Sequence, residues 1–181
     1  MQIETERLLL RPFAEADAAD LYKYARDPEV GPAAGWPPHG SVEESRNIIR
    51  LVLSGPESYA ICKKEDGHVI GAIALSLNGD SRLAEEEDEC ELGYWIGKPF
   101  WGQGLMTEAS EALLRRAFTE LGMRRVWCGY FEGNEKSKRV QEKLGFRHEK
   151  TLRDVDVPLL KEVRIEHVSL LSREAWRLKN M

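Results

Sequence analysis

Residues Val69–Leu77 read VIGAIALSL, a nearly unbroken apolar run. A strand with one wet face alternates apolar and polar residues. A run without alternation must be covered on both faces, so it belongs at the centre of a layered domain. Asp66-Gly67 stands just before it, and Tyr59–Lys64 carries a second strand pattern on the other side. The two runs read as a hairpin closed by a type I′ turn, which needs positive φ at both central positions. With 181 residues the chain has the length of one domain. A chain of that size buries about 70% of the surface that it exposes unfolded, so its core needs no covalent staples.

What covers the central strand is read from the 3.6-residue periodicity on either side. Arg7–Phe13 is a short strand and Ala16–Arg26 a helix. The prolines and glycines of Gly31–Gly40 (GPAAGWPPHG) predict a loop. Ser41 and Glu44 form a capping box that opens a helix reaching about Ser54, with Ile48, Ile49, Val52 and Leu53 on one face and Gly55 as its stop. Glu91–Gly97 (ELGYWIG) is a strand whose Gly93 points to a bulge or a close backbone approach. Leu105–Leu121 is a long helix stopped by Gly122, its polar side Glu108, Glu111, Arg115 and Thr119 and its buried side Leu105, Ala109, Ala112, Leu113, Ala117 and Leu121. Arg125–Tyr130 is a strand, Asn134–Leu144 a helix stopped by Gly145, and Val163–Leu171 the last of two closing strands. The order β-α-α-β-β-β-α-β-α-β-β describes a mixed α/β (α+β) domain with a βαβ unit in its second half. No linker or repeat divides it, so residues 1–181 read as a single domain.

Several function classes are excluded on composition. The longest apolar runs are far shorter than the roughly 20 residues of a membrane span. The opening MQIETERLLLRPF carries two glutamates and no apolar core before a cleavage site, unlike a signal peptide. A net charge of −5 argues against binding nucleic acid by bulk attraction. Cys62, Cys90 and Cys128 are odd in number and widely spaced, which suits the reducing cytoplasm and gives no disulfide framework. His39, His68, His148 and His167 show no ligand spacing, so no metal is expected.

The segment from Tyr94 to Glu108, YWIGKPFWGQGLMTE, carries the chemistry. Gly102 and Gly104 stand one residue apart just before the long helix. Glycine admits positive φ and lets a ligand approach the backbone. The first helical amides lack partners and face outward at the positive end of the helix dipole. Together they form a cradle for an anion such as a pyrophosphate, to which Thr107 adds a hydroxyl. A tight turn whose glycines serve packing is the alternative. A Rossmann fingerprint needs a third small residue where Thr107 stands and an acid about 20 residues on, in the region of Trp127-Cys128-Gly129. A Walker loop needs GxxxxGK[ST], which is absent.

ELGYWIGKPFWGQGLMTEA followed by RVWCGYFEGNEKSKRVQEKLGF resembles the GNAT acyl-CoA N-acyltransferases. TERLLLRPF and the GWPPH loop resemble the RimJ/RimL-like branch, which acetylates protein N-termini and assorted small amines. The resemblance rests on Gly102-x-Gly104 with Asn134-x-x-Ser137 before Leu144-Gly145-Phe146, and it covers essentially the whole chain. It implies a mostly antiparallel central sheet whose two middle strands splay apart, acetyl-CoA as cosubstrate, and an amine acceptor. The pantetheine arm then pairs with backbone around Ile96, and the pyrophosphate rests on the amides of Gly102, Gln103, Gly104, Leu105, Met106 and Thr107. Asn134 bonds the cofactor arm, and Ser137 lies near the thioester sulfur. Pro99 departs from the Arg or Gln with which the family's loop often begins. That departure bears on a side-chain contact to the phosphates and not on the backbone cradle.

The implied reaction is direct attack of a neutral amine on the thioester. At pH 7 an α-amine is roughly 10% neutral and a lysine amine about 0.04%. A protein N-terminus therefore needs only a modest base, for which Glu91 is the candidate, directly or through water. The alternative is that Glu91 merely ends a solvated acidic run. Ser137 is the candidate donor to the leaving thiolate, with Tyr130 as a rival and helix capping as the bland alternative. Backbone amides near Ile96 would meet the charge developing on the thioester carbonyl. Lys136, Lys138 and Arg139 either reach the 3′-phosphate or form a solvated face. Glu85–Glu89 either attracts a cationic substrate or forms a solvated turn. Trp36 either lines the acceptor pocket or packs its own loop. The leading function is N-terminal acetylation. A small-amine acetyltransferase acting on a polyamine, amino acid or aminoglycoside-like compound, and a non-catalytic acyl-CoA-binding regulatory domain, are the alternatives. Monomer or homodimer, and acetyl or a longer acyl group, stay open.

Overall fold

In the computed structural model, which describes residues 1–77 and 79–181, the strands are β1 (Ile3–Glu4), β2 (Leu8–Arg11), β3 (Ser58–Lys63), β4 (Val69–Leu77), β5 (Glu89–Ile96), β6 (Arg125–Phe131), β7 (Arg147–Val157) and β8 (Glu162–Ser172). The helices are α1 (Ala18–Ala25), α2 (Gly31–Ala34), α3 (Val42–Leu51), α4 (Leu105–Thr119), α5 (Glu135–Leu144) and α6 (Arg173–Lys179). The strands form one mixed sheet in the order β1-β2-β3-β4-β5-β6-β8-β7. β5 and β6 run parallel, as a βαβ unit through α4 requires, with Glu89, Cys90 and Glu91 opposite Arg125, Val126 and Trp127. β1-β2-β3-β4 and β6-β8-β7 are antiparallel.

The chain divides into two compact units, Met1–Ala74 with Tyr94–Ala112, and Leu75–Gly93 with Leu113–Met181. In the first, β4 is buried on both faces from Val69 to Ile73, as its unbroken apolar run demands. Ala18, Leu21 and Ile49 form one cluster there with Phe13, Val42, Leu53 and Trp95 packed against it, and Ala60, Cys62 and Val69 form another. Gly71 is a site of close approach, because a methyl group there would overlap the Trp95 carbonyl oxygen and crowd Ile96 Cα. In the second unit, β6 and β8 pair from Arg125↔Ser172 to Phe131↔Glu166, and Val126, Cys128, Val168 and Leu171 are almost fully buried. Phe118 of α4 meets Trp176 of α6, with ring centroids 5.3 Å apart.

Several local expectations are corrected. Gly31–Gly40 is not all loop: Gly31–Ala34 makes one turn of helix, with Pro32 in its first turn where a missing N–H costs nothing, and Gly35 closes it at φ 93°. The capping box is split. Ser41 Oγ accepts from the Glu44 amide at 3.0 Å, but the Glu44 carboxylate accepts from Gly40 N–H at 2.6 Å. α3 ends at Leu51, ahead of Gly55, and Val52 is exposed. The Asp66-Gly67 turn is not type I′, since only Gly67 has positive φ (74°) and the Asp66 carboxylate accepts from the His68 amide instead. Gly93 has open space where a side chain would stand, so the close approach on this pair of strands falls at Gly71. β5 begins at Glu89, inside the acidic run. β1 and α6 were not anticipated.

Candidate active site

In the first unit, β5 ends at Ile96 and a turn at Lys98–Phe100 leads into the glycine loop. Two side chains fix that turn: Trp101 Nε1 donates to Ile96 O at 2.9 Å, and Gln103 Nε2 to Pro99 O at 2.9 Å. Gly102 and Gly104 hold φ at 75° and 77°, a region costly for other residues. The first helical bond of α4 runs from Glu108 N to Gly104 O at 3.0 Å. The amides of Leu105, Met106 and Thr107 therefore sit in the unpaired first turn. No heavy atom lies within 4 Å of a Cβ built on Gly102, and Arg7 Nη2, at 3.6 Å, is the near neighbour of one built on Gly104. An open bend beside unpaired helix amides is suited to a phosphate. The Ile96 carbonyl accepts the Trp101 indole.

Arg7 escaped the sequence reading. Its Nη1 donates to Gln103 O at 3.0 Å and its Nε to Glu108 Oε2 at 2.7 Å. The Glu108 carboxylate also accepts from Thr5 Oγ1 at 2.6 Å and from the Arg7 amide at 2.8 Å. Burial pushes this carboxyl up, but the Thr5 hydroxyl and the two Arg7 donors together hold it below the usual range. Trp36 packs across Gly31 and meets Trp95 edge-on at 5.4 Å and His39 at 5.1 Å. Burial lowers the His39 pKa, and its Nδ1 lies 2.8 Å from Ser45 Oγ.

In the second unit, Asn134 caps α5: its side-chain oxygen accepts from the Ser137 amide at 3.2 Å. Ser137 is thus inside the first turn and does not cap the helix. Its Oγ accepts from Gln141 Nε2 at 3.3 Å, and the same nitrogen reaches Gly129 O at 3.3 Å. Tyr130 stacks on His167 with centroids 5.1 Å apart, and burial raises its phenol pKa. Glu91 is half-buried and accepts from Ser81 Oγ at 2.9 Å, while Ser81 Oγ accepts in turn from the Leu83 and Ala84 amides. The acidic run is not wholly a solvated turn. Glu89 is buried, with Arg125 Nη1 at 3.1 Å and the Trp127 indole donating at 2.8 Å, and Asp88 pairs with Arg124 at 2.9 Å. Glu85, Glu86 and Glu87 are the exposed members of the run. Lys138 lies 3.9 Å from Glu135 on the surface of α5.

Glu166 on β8 is a further buried acid, 4% exposed, bound by Arg82 Nη2 at 2.7 Å. Its Oε2 has no hydrogen-bond partner among the described residues. A methyl group at Gly129 would overlap its Oε1. The signal in the sequence was slight: Glu166 falls in period-2 register with the buried Val168. Among the described residues, no cluster of three or more His, Cys, Asp or Glu side chains is suited to a metal, and no helix is long and apolar enough to cross a membrane.

The fold and the loop define an acyl-CoA-dependent transferase. Residues 7–147 match the acetyltransferase (GNAT) domain family, and the chain belongs to that family. The match runs across both compact units. The chain is 31% identical over 175 residues to "Uncharacterized N-acetyltransferase p20" of Bacillus licheniformis, covering 94% of this chain and 96% of that one. It is 40% identical over 89 residues to "Putative ribosomal N-acetyltransferase YdaF" of Bacillus subtilis, about half of each chain (49% and 46%). An acetyltransferase of the GNAT family from Bacillus anthracis has the same fold, with a TM-score of 0.83 at 24% identity over 96% of this chain and 99% of that one. The chain is an N-acyltransferase of a family whose general cosubstrate is acetyl-CoA, with an amine as acceptor.

Proposed function

We propose that residues 1–181 work as one acetyltransferase domain that moves an acetyl group from acetyl-CoA to a protein N-terminal α-amine, by direct attack in a ternary complex. The observation that carries the cofactor half is the glycine loop, open at Gly102 and Gly104 over the unpaired first turn of α4. Bound acetyl-CoA supplies an acetyl thioester activated toward nitrogen nucleophiles. The amides of Gly102, Gln103, Gly104, Leu105, Met106 and Thr107 take its diphosphate. The backbone at Ile96 and the side-chain amide of Asn134 align its pantetheine arm.

Glu91 takes the proton from the incoming ammonium, directly or through water. Its carboxylate is oriented by the Ser81 hydroxyl. A modest base suffices for an α-amine, with roughly one molecule in ten already neutral at pH 7, and is poorly matched to a lysine. Ser137 donates to the departing sulfur. A thiolate of pKa near 8.5 lies only about 2 kcal/mol from its thiol at pH 7, so a hydroxyl donor is adequate. The Gln141 bond to Ser137 Oγ polarises that hydroxyl further. The name of the partial relative YdaF, a putative ribosomal N-acetyltransferase, favours a ribosomal acceptor over a small amine. The exposed Glu85, Glu86 and Glu87 favour a second reading, a small polycationic amine.

The test follows thiol release from acetyl-CoA against peptides with free α-amines, the same peptides blocked at the N-terminus but carrying lysine, and polyamines. Turnover of the free α-amine peptides is expected. Preference for polyamines would move the assignment to the small-amine reading. Coenzyme binding with no turnover on any amine would make the domain a non-catalytic acyl-CoA sensor.

A further inference from the structure

We propose that Arg7 is a direct phosphate ligand, supplying the coenzyme's diphosphate with the side-chain cation that Pro99 cannot provide. The inference rests on the reading of the glycine loop as the diphosphate site. Arg7 follows β1 and precedes β2, yet its guanidinium lies on the loop. Three of its contacts fix its orientation. Nε is held by Glu108 Oε2 at 2.7 Å, Nη1 by Gln103 O at 3.0 Å, and the backbone amide by Glu108 Oε1 at 2.8 Å. Nε and Nη1 are spent on these contacts, and Nη2 lies 3.6 Å from where a Cβ on Gly104 would stand. That is the space which the missing side chain of Gly104 leaves clear.

The Arg7 side chain is about half-exposed and Glu108 largely covered, so the cation faces solvent while its counter-charge is turned inward. Glu108 is also held by Thr5 Oγ1 at 2.6 Å. A rigid guanidinium with unspent N–H groups, beside unpaired helix amides, matches the tetrahedral oxygens of a phosphate.

Titration calorimetry of coenzyme A and of pantetheine, which lacks the diphosphate, tests this on the wild-type chain and on Arg7→Gln and Arg7→Lys. Arg7→Gln is expected to weaken coenzyme A by about ten- to a hundredfold, the loss of one charge-assisted contact, and to leave pantetheine unchanged. Arg7→Lys falls between. Added salt weakens coenzyme A binding to the wild type more than to Arg7→Gln, because a charge has been removed from the contact. If Arg7 only braces the loop, Arg7→Gln weakens coenzyme A without changing its salt dependence, and the proposal fails. If Arg7→Gln does not fold, Arg7→Lys is read the same way: weaker coenzyme A binding with pantetheine unchanged supports the contact, and equal affinity overturns it. Equal affinity of Arg7→Gln and wild type also overturns it. A wild-type chain that binds no coenzyme A sinks the loop assignment itself, a separate outcome.

Discussion

Glu166 shows how one missing methyl group makes room for a charge. The carboxylate is buried on β8, and its Arg82 partner reaches in from the segment between β4 and β5. Removing a carboxylate from water costs several kcal/mol unless it is paired, and here one oxygen is paired and the other is not. The arrangement exists because residue 129, on the neighbouring strand, is glycine: any Cβ there overlaps Glu166 Oε1. Gly129→Ala must push Glu166 off Arg82 or bend β6, and it should destabilise the chain by about 1–3 kcal/mol. The same substitution in a Glu166→Ala background should cost much less, since the clash has gone. Urea unfolding of the four chains measures the coupling, and equal costs in the two backgrounds would show that Gly129 is needed for another reason.

At the scale of elements, the N-terminus of α5 joins two roles in one residue. Asn134 caps the helix through its oxygen, and the proposed contact to the pantetheine arm uses its amide. Asn134→Asp separates them. An aspartate caps as well and suits the helix dipole better, so stability should stay within about 0.5 kcal/mol of wild type. Coenzyme A affinity should nevertheless fall about tenfold, because the donor is lost and a negative charge faces the arm. Asn134→Ala should lose both, with about 1 kcal/mol of stability. Unchanged affinity in Asn134→Asp would reduce Asn134 to a cap.

Such caps are legible because the physics is local. Gly145 ends α5 at φ 94°, as its place after Leu144 predicts, and the apolar run of β4 called for its own burial. β7 was nearly illegible: RHEKTLRDVDV is an edge strand with mostly exposed residues and register shifts after His148 and Leu152, so it carries neither alternation nor an apolar run. Pro32 misled in the other direction, since proline is tolerated in a first helical turn. The glycine loop could be read because its backbone demand and its helix are adjacent in sequence. Arg7 could not, because it meets Glu108 across 101 residues of chain.

For the whole molecule, the groups whose pKa shifts have a clear direction predict a dome of stability against pH. Burial lowers the His39 pKa, with Glu44 opposing, so the folded chain holds this imidazole neutral more strongly than the unfolded chain does. The unfolded state then binds more protons below about pH 6.5, and the stability contributed by His39 is complete above that value and lost as pH falls. Asp17 and Glu108 add a second acid step. Burial raises Asp17, but the Arg11 guanidinium, at 2.7 Å on both oxygens, and the Ala14 amide bring it below its ordinary range. Both carboxylates stabilise fully above about pH 4 and cease to do so as pH drops further. On the alkaline side, burial raises the Cys62 thiol, with Arg11 opposing. The unfolded chain ionises that thiol first, so stability is lost as pH rises above about 8.5. Urea midpoints at constant ionic strength from pH 3 to 10 should therefore plateau between about 6.5 and 8.5. His39→Gln should flatten the limb from pH 6.5 down to 5 and leave the steeper fall below pH 4, which Asp17→Asn should reduce. Cys62→Ala should flatten the alkaline limb alone. A His39→Gln chain that kept the full slope between pH 5 and 6.5 would show that the acid limb arises elsewhere.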